Sequence, residues 1–280
     1  MTVEPNNQNP LKQYFRRPAV YLKLPSGTQA YSSDVIDMPV TGELPIYPMT
    51  AIDDITARTP DALFNGTAVA ELIKSCVPDI KDPWQINSND LDAILIAVKS
   101  SSNGDQLDLD STCPKCGEAS TYAISLTGIL TTLKAGDYDT IFEIGNLKIK
   151  FRPLVYKEMN EASIAQFELQ KVFMNMITMS DDEKNEASGK ALEKVTLLTM
   201  QLLSQGIEYI QTAEATVTEN AYILEFLKEC DKKTYFALRD HATLLKKGSS
   251  PAPLKLVCEV ETCKHEYEQE FSLNPSDFFA

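Results

Sequence analysis

Apolar and polar positions divide the chain into short alternating stretches near the start and long helical stretches after the middle. Ala19-Val20-Tyr21-Leu22-Lys23-Leu24 alternates and predicts one or two strands within residues 18–31, turning at Pro25-Ser26-Gly27. Residues 37–60 are proline-rich and predict irregular chain, ending in Thr59-Pro60 as an N-cap followed by proline at the first helical position. A short helix to about Phe64, an Asn65-Gly66 turn and a second helix from Thr67 to Cys76 follow from the spacing. Pro78 and Pro83 interrupt the pattern. Asn87 or Ser88 then caps a helix to about Lys99, with Leu91, Ile94, Leu95 and Val98 as its buried stripe.

Alternation returns at Leu107-Asp108-Leu109-Asp110 and at Tyr122, Ile124 and Leu126. A hairpin is predicted where Ile141-Phe142-Glu143-Ile144 turns through Gly145-Asn146 into Leu147-Lys148-Ile149-Lys150-Phe151. Helical spacing takes over from there. Ala162, Ala165, Leu169, Val172, Phe173, Met176 and Met179 mark one helix. Ser180-Asp181-Asp182-Glu183 reads as a capping box opening a second, running to about Ile210 with Val195, Leu198 and Leu202 inward. Ile223, Phe226, Leu227 and Cys230 mark a third; Tyr235, Leu238, Ala242 and Leu245 a fourth. Lys246 and Lys247 favour the end of that helix, where cations meet its negative pole, before Gly248-Ser249-Ser250-Pro251.

Composition narrows the classes of function. The chain has 280 residues and a net charge of −14, so its long-range field repels phosphate and disfavours nucleic acid and anionic membrane as partners. The start, Met1 to Pro10, lacks the charged-then-apolar pattern of a signal peptide. Ile94 to Val98 is the longest apolar run, far short of the ~20 residues that span a bilayer. Folding in a reducing cytoplasm is the expectation, and free thiols with it.

The cysteines then carry the chemistry. Cys113-Pro114-Lys115-Cys116-Gly117 is a C-x2-C knuckle, and Cys258-Glu259-Val260-Glu261-Thr262-Cys263 is a looser C-x4-C variant. Such spacings let a tight turn aim two thiolates at one ion, and four soft donors suit tetrahedral zinc. The flanks match as well: Leu107 and Leu109 precede the first pair and Leu254 and Leu256 the second. Ile124 and Phe271 both fall eight residues past the second cysteine, followed by Ser125 and Ser272, then Leu126 and Leu273. Two strand-knuckle-strand units predict a split zinc ribbon holding one structural zinc on Cys113, Cys116, Cys258 and Cys263. Four thiolates leave no open position for a reacting water. His265 is a weaker substitute ligand. Cys76 and Cys230 read as core thiols.

The predicted architecture is therefore α+β: a helical bundle inserted into a small zinc-ribbon β platform, with an N-terminal strand-rich segment and short helices. Its parts are an arm at 1–17, strands and short helices at 18–106, the split ribbon at 107–130 plus 252–280, and a hairpin with helices at 131–251.

Several segments in order now carry a resemblance. Pro45-Ile46-Tyr47-Pro48-Met49-Thr50-Ala51, Thr59 through Ala68, Ser75-Cys76-Val77-Pro78, Asp90 through Val98, the Cys113/Cys116 knuckle, and Phe151-Arg152-Pro153-Leu154 with Tyr156-Lys157 resemble the T-even-type phage baseplate hub family. The likeness spans most of the chain from about residue 18. It implies a non-enzymatic tail protein of a contractile-tailed phage, acting in the central hub of the baseplate or in its assembly. It implies other hub or tail proteins as partners, the tape-measure protein among them, and oligomerisation within the tail as an option. Host cytoplasm during assembly and the virion baseplate are the implied locations.

Residues outside the cysteines support the same exclusions. His241 and His265 are far apart, and no His-Glu-x-x-His, Gly-x-Ser-x-Gly or phosphate-binding glycine loop is present. Carboxylates at Asp53/Asp54, Asp90/Asp92, Asp108/Asp110 and Asp181 to Glu183 read as helix-capping or solvated groups, and His241 as a surface residue late in its helix. A zinc ribbon that binds nucleic acid or regulates is the alternative. Its basic residues are scattered (Lys12, Arg16, Arg17, Lys232, Lys233, Lys246, Lys247), and Glu118, Glu259, Glu261, Glu266 and Glu268 crowd the knuckles. Candidate protein-binding features are Met174, Met176 and Met179, the C-terminal Phe278-Phe279-Ala280, and Tyr14, Phe15, Arg16 and Arg17 in the arm.

Overall fold

The structure, a computed structural model, describes residues 9–59, 65–176 and 181–271. It is α+β, with small antiparallel sheets and helices around two apolar cores.

The first core gathers on a single helix. Strand β1 (Val20–Leu22) pairs antiparallel with β2 (Leu44–Ile46), and helices α1 (Ala51–Ala57), α2 (Thr67–Cys76) and α3 (Ser88–Asn103) pack beside them. Strand β2 and helix α1 fall inside the stretch expected to be irregular. Pro45 is tolerated because β2 is an edge strand, where its missing N–H breaks no second ladder. Helix α1 starts at a capping box: the Asp53 amide donates to the Thr50 hydroxyl while Asp53 accepts from the Thr50 amide. Helix α2 spans the predicted residues. Its N-cap, Gly66, has φ +76, and a Cβ there would press on Tyr156 and Asn160. Asn87 caps α3. From Leu91 to Val98 every residue except Asp92 is buried, so α3 is encased on all sides and the expected stripe is a whole surface.

Two hairpins carry the cysteines. Strands β3 (Gln106–Thr112) and β4 (Ala119–Ser125) form the first; Ser125 then caps a short helix, α4 (Leu126–Thr132), where continued strand was expected. Strands β9 (Leu254–Val257) and β10 (Glu266–Gln269) form the second. The equivalent residues Ile124 and Phe271 both bury themselves in the first core at the same offset, with Leu107 and Leu109 of the first hairpin and Leu254 of the second packed against it as well.

Between the hairpins the chain builds more than a helical bundle. Strands β5 (Phe142–Ile144), β6 (Leu147–Phe151), β7 (Ile207–Gln211) and β8 (Thr216–Val217) make a four-stranded antiparallel sheet in that order. The predicted hairpin is β5–β6. The helix expected to reach Ile210 stops at Gln205, because after Gly206 the alternating Ile207-Glu208-Tyr209-Ile210 pairs with β6 instead. Helices α7 (Asn220–Glu229) and α8 (Lys232–Ser249) close the second core with Ile149, Phe151, Ile223, Leu227 and Leu238. Helices α5 (Tyr156–Met176) and α6 (Asp181–Gln205) pack against each other as a long hairpin. The expected helix at 60–64, Ser180 of the expected capping box, Met179, the Ser272 and Leu273 offsets and Phe278-Phe279-Ala280 lie outside the described residues.

Candidate metal centre

Both cysteine pairs sit in the turns of their hairpins, and backbone hydrogen bonds set each turn. In the first, the Cys113 amide donates to the Glu118 carbonyl and the Gly117 amide to the Cys113 carbonyl, both at 2.9 Å. In the second, the Cys258 amide donates to the His265 carbonyl and the Cys263 amide to the Val260 carbonyl, again both at 2.9 Å. The residue after each second cysteine is left-handed: Gly117 at φ 75 and Lys264 at φ 43. Glycine adopts this without strain, whereas lysine does so at some cost. The two turns thus share a backbone feature that the residue types concealed.

The hairpins meet edge to edge through hydroxyl groups. Tyr122 donates to the Val257 carbonyl at 3.1 Å, Tyr267 donates to the Ser111 hydroxyl at 3.0 Å, and the Ser111 hydroxyl donates to Gln269 Oε1 at 3.1 Å. These bonds bring the four predicted cysteines into one cluster. Their Sγ atoms all lie within 4.8 Å of one another, although Cys116 and Cys258 are 142 positions apart in the chain. Cys113 and Cys263 approach to 3.9 Å and Cys116 and Cys258 to 3.6 Å. Disulfides need ~2.05 Å. A tetrahedral ion with sulfur ligands at ~2.3 Å separates its sulfurs by ~3.8 Å. The observed spacings match the second distance, so the donor set and its geometry fit a tetrahedral metal.

Electrostatics within the cluster are uneven. Burial opposes ionisation of Cys113, but the amides of Cys116 and Lys115 and the neighbouring thiols outweigh it and hold this thiol down at about 7. Cys258 is pushed up to about 12, by burial first, against the Val260 amide and together with the three surrounding thiols. Cys113 and Cys258 are buried, Cys263 is half-buried and Cys116 is exposed.

The remaining candidates separate from this cluster. His265 is not part of it; its ring stacks on Tyr267 with centroids 6.3 Å apart. Cys76 is wholly buried in the first core, while Cys230 is half-buried at the end of α7. Asp108 and Asp110 are exposed on β3, as expected. His241, expected at the surface, is half-buried: its ring stacks on Phe142 at 4.3 Å and its Nε2 is buried, so burial draws its pKa down.

Over residues 35–280 the sequence matches the family model described as the T4 bacteriophage base plate protein. The chain belongs to that family. No curated protein and no solved structure matches it. This baseplate protein has, among its described residues, no helix long and apolar enough to cross a membrane.

Two polar anchors in the baseplate protein escaped the sequence reading. Arg16, noted as one of the scattered basic residues and as part of an aromatic and basic arm, donates to the Pro48 carbonyl at 2.6 Å, Asp53 at 3.1 Å, and the Ser75 carbonyl and hydroxyl at 2.8 Å each. Asp90, read as a solvated or capping group, is fully buried and accepts from the Ser26 amide at 3.0 Å, the Ser26 hydroxyl and the Tyr31 hydroxyl at 2.6 Å. Its position at the start of α3 was a visible signal for a cap. Nothing local could reveal that a loop 64 positions earlier would supply its partners.

Proposed function

We propose that this baseplate protein is a non-catalytic structural or assembly component of the central hub, held in shape by one structural zinc on Cys113, Cys116, Cys258 and Cys263. The observation that carries the reading is the convergence of four sulfurs from two distant turns at tetrahedral spacing. Four thiolates this close repel one another, and a bound divalent cation removes that repulsion while cross-linking the hairpins. The chain's own contribution is to aim the sulfurs and to shelter two of them. With every ligand position taken by protein, the centre supports folding and leaves no place for a substrate.

In this reading the two hairpins form a zinc ribbon that ties the ends of the inserted module to the first core. Family membership and the net charge of −14 favour protein partners over nucleic acid, and other hub or tail proteins, the tape-measure protein among them, are the proposed ones. The protein acts in the host cytoplasm during assembly, in the virion baseplate, or in both.

Elemental analysis of pure, reduced protein tests the metal directly. The expected result is one zinc per chain, lost together with cooperative unfolding in the Cys113→Ser/Cys116→Ser variant. Metal-free wild-type protein that unfolds as cooperatively as before would refute the structural zinc. A pull-down from infected cells that recovers no hub or tape-measure protein would refute the partner assignment.

A further inference from the structure

A pocket of about 420 Å³ opens between α5 and α8, within the range of about 300–1,000 Å³ that ligand pockets occupy. Each of the two helices lines it at i, i+3, i+4 and i+7, and in both the middle two residues are small: Ala162 and Ser163 on α5, Ala242 and Thr243 on α8. Short side chains at these four positions leave the space open. Phe151 of β6, Leu203 of α6 and Leu245 of α8 line it too; all three are buried, so the inner part of the pocket is apolar.

The outer residues of the α8 run are Arg239 and Lys246, about 10 Å apart at 1.5 Å per residue. Arg152 is a third cation in the lining, and no carboxylate stands among the described lining residues. That is contrary to a chain with 40 acidic residues and 26 basic ones. Carboxylates lie behind these cations instead. Glu158 takes two bonds from Arg152, at 2.5 and 3.2 Å, and occupies it. Asp240 accepts from Arg239 Nε and Nη2 at 3.0 and 2.7 Å, but both partners are exposed, so solvent screens that pair. Asp92 of α3 is close enough to Lys246 to feel its charge, yet does not line the pocket. Arg239 and Lys246 are therefore the groups that an incoming anion meets.

We propose that this pocket receives an acidic segment of a hub or tail protein, with apolar side chains in the space between the helices and carboxylates on Arg239 and Lys246. The proposal rests on the reading of protein partners above and names the chemistry of one of them. Charge decides the occupant. A neutral apolar segment would strip water from two cations and return nothing, and a basic one would be repelled, whereas an acidic one replaces the lost hydration with ion pairs in a partly enclosed site. The spacing of the cations asks for two acidic side chains that flank the apolar ones.

Fluorescence anisotropy on the full chain tests this, with fluorescein-labelled octapeptides in which two glutamates flank a pair of Leu, Ile, Phe or Met residues. At least one such peptide is expected to bind wild type saturably, and exchanging its glutamates for glutamine should weaken binding about tenfold. Arg239→Glu and Lys246→Glu should each weaken it by about the same factor. Thr243→Phe, which fills the space from an exposed position, should abolish binding, and Lys233→Glu, on the same helix but outside the pocket, should leave it unchanged. Unchanged helicity in circular dichroism confirms that each variant is folded. No saturable binding of any of these peptides to wild type overturns the proposal. So does binding that ignores the exchange of glutamate for glutamine, or that survives Arg239→Glu and Lys246→Glu together. The two readings fail separately: a pull-down that still recovers hub proteins through the double variant ends the pocket assignment alone, whereas one that recovers none with wild type ends the partner reading.

Discussion

Helix α3 has a buried residue at every position from Leu91 to Val98 except Asp92, whereas the α5–α6 hairpin leaves Phe173, Met174, Leu192 and Val195 in contact with solvent. Both regions show apolar residues at helical spacing. What separates them is how many elements arrive from elsewhere in the chain. Around α3 the chain places β1, β2, α2, α4 and apolar side chains from both cysteine hairpins, so apolar surface is removed from water in nearly every direction. Among the described residues, α5 and α6 have each other as their main neighbour. An encased helix stabilises the monomer. A half-covered pair leaves part of its apolar surface in water.

The sharpest test of this contrast is a cavity in the encased helix. Ile94 has no exposed surface, and Ile94→Ala is expected to destabilise the fold by about 3 kcal/mol in urea titration, from lost burial and the void left behind. A loss under about 1 kcal/mol would mean that the core collapses around the gap and is looser than its burial indicates.

Asp92 offers a smaller effect of opposite sign at the one gap in that burial. Burial raises its carboxyl to about 6, and the charge of Lys246 on α8 offsets this only in part. The folded state therefore holds a proton that the unfolded chain releases near 4. Stability is expected to fall as pH rises from about 4 to about 6, and the cost at neutral pH is about 2–3 kcal/mol. Asp92→Asn should recover most of that at pH 7 and flatten the pH dependence. Unchanged stability of the variant at pH 7 would show that water or Lys246 already satisfies the carboxylate.

The smallest expected change tests the other side of the contrast. Leu192 is 61% exposed, and Leu192→Gln should alter the stability of the dilute protein by less than about 0.5 kcal/mol. A loss as large as that of Ile94→Ala would end the distinction between the two regions.

Local signals carried much of this structure. Helix α2 follows the predicted span, the β5–β6 hairpin turns at Gly145-Asn146, and the matching offsets around the cysteine pairs correspond to Ile124 and Phe271 entering the same core. Strand β7 was missed although Ser204-Gln205-Gly206 breaks the apolar pattern before it and Ile207-Glu208-Tyr209 alternates; pairing with β6 decided the outcome. Helix α1 was hidden among prolines, although Thr50 with Asp53 three residues later had the form of a capping box.

By itself the sequence determined what nearest neighbours along the chain can decide: cysteine spacing, the turn glycines, the capping residues, and which stretches alternate or repeat at helical period. These depend on backbone sterics and hydrogen bonds within a few residues, so they can be read before the chain folds. Only the tertiary structure decided which apolar faces found cover, that Asp90 would be buried and Arg16 half-buried among donors and acceptors from distant segments, and that sulfurs 142 positions apart would meet at 3.6 Å. Those outcomes depend on bringing remote segments together, where the gain from burial has to exceed the entropy of closing long loops, and no local pattern records that balance.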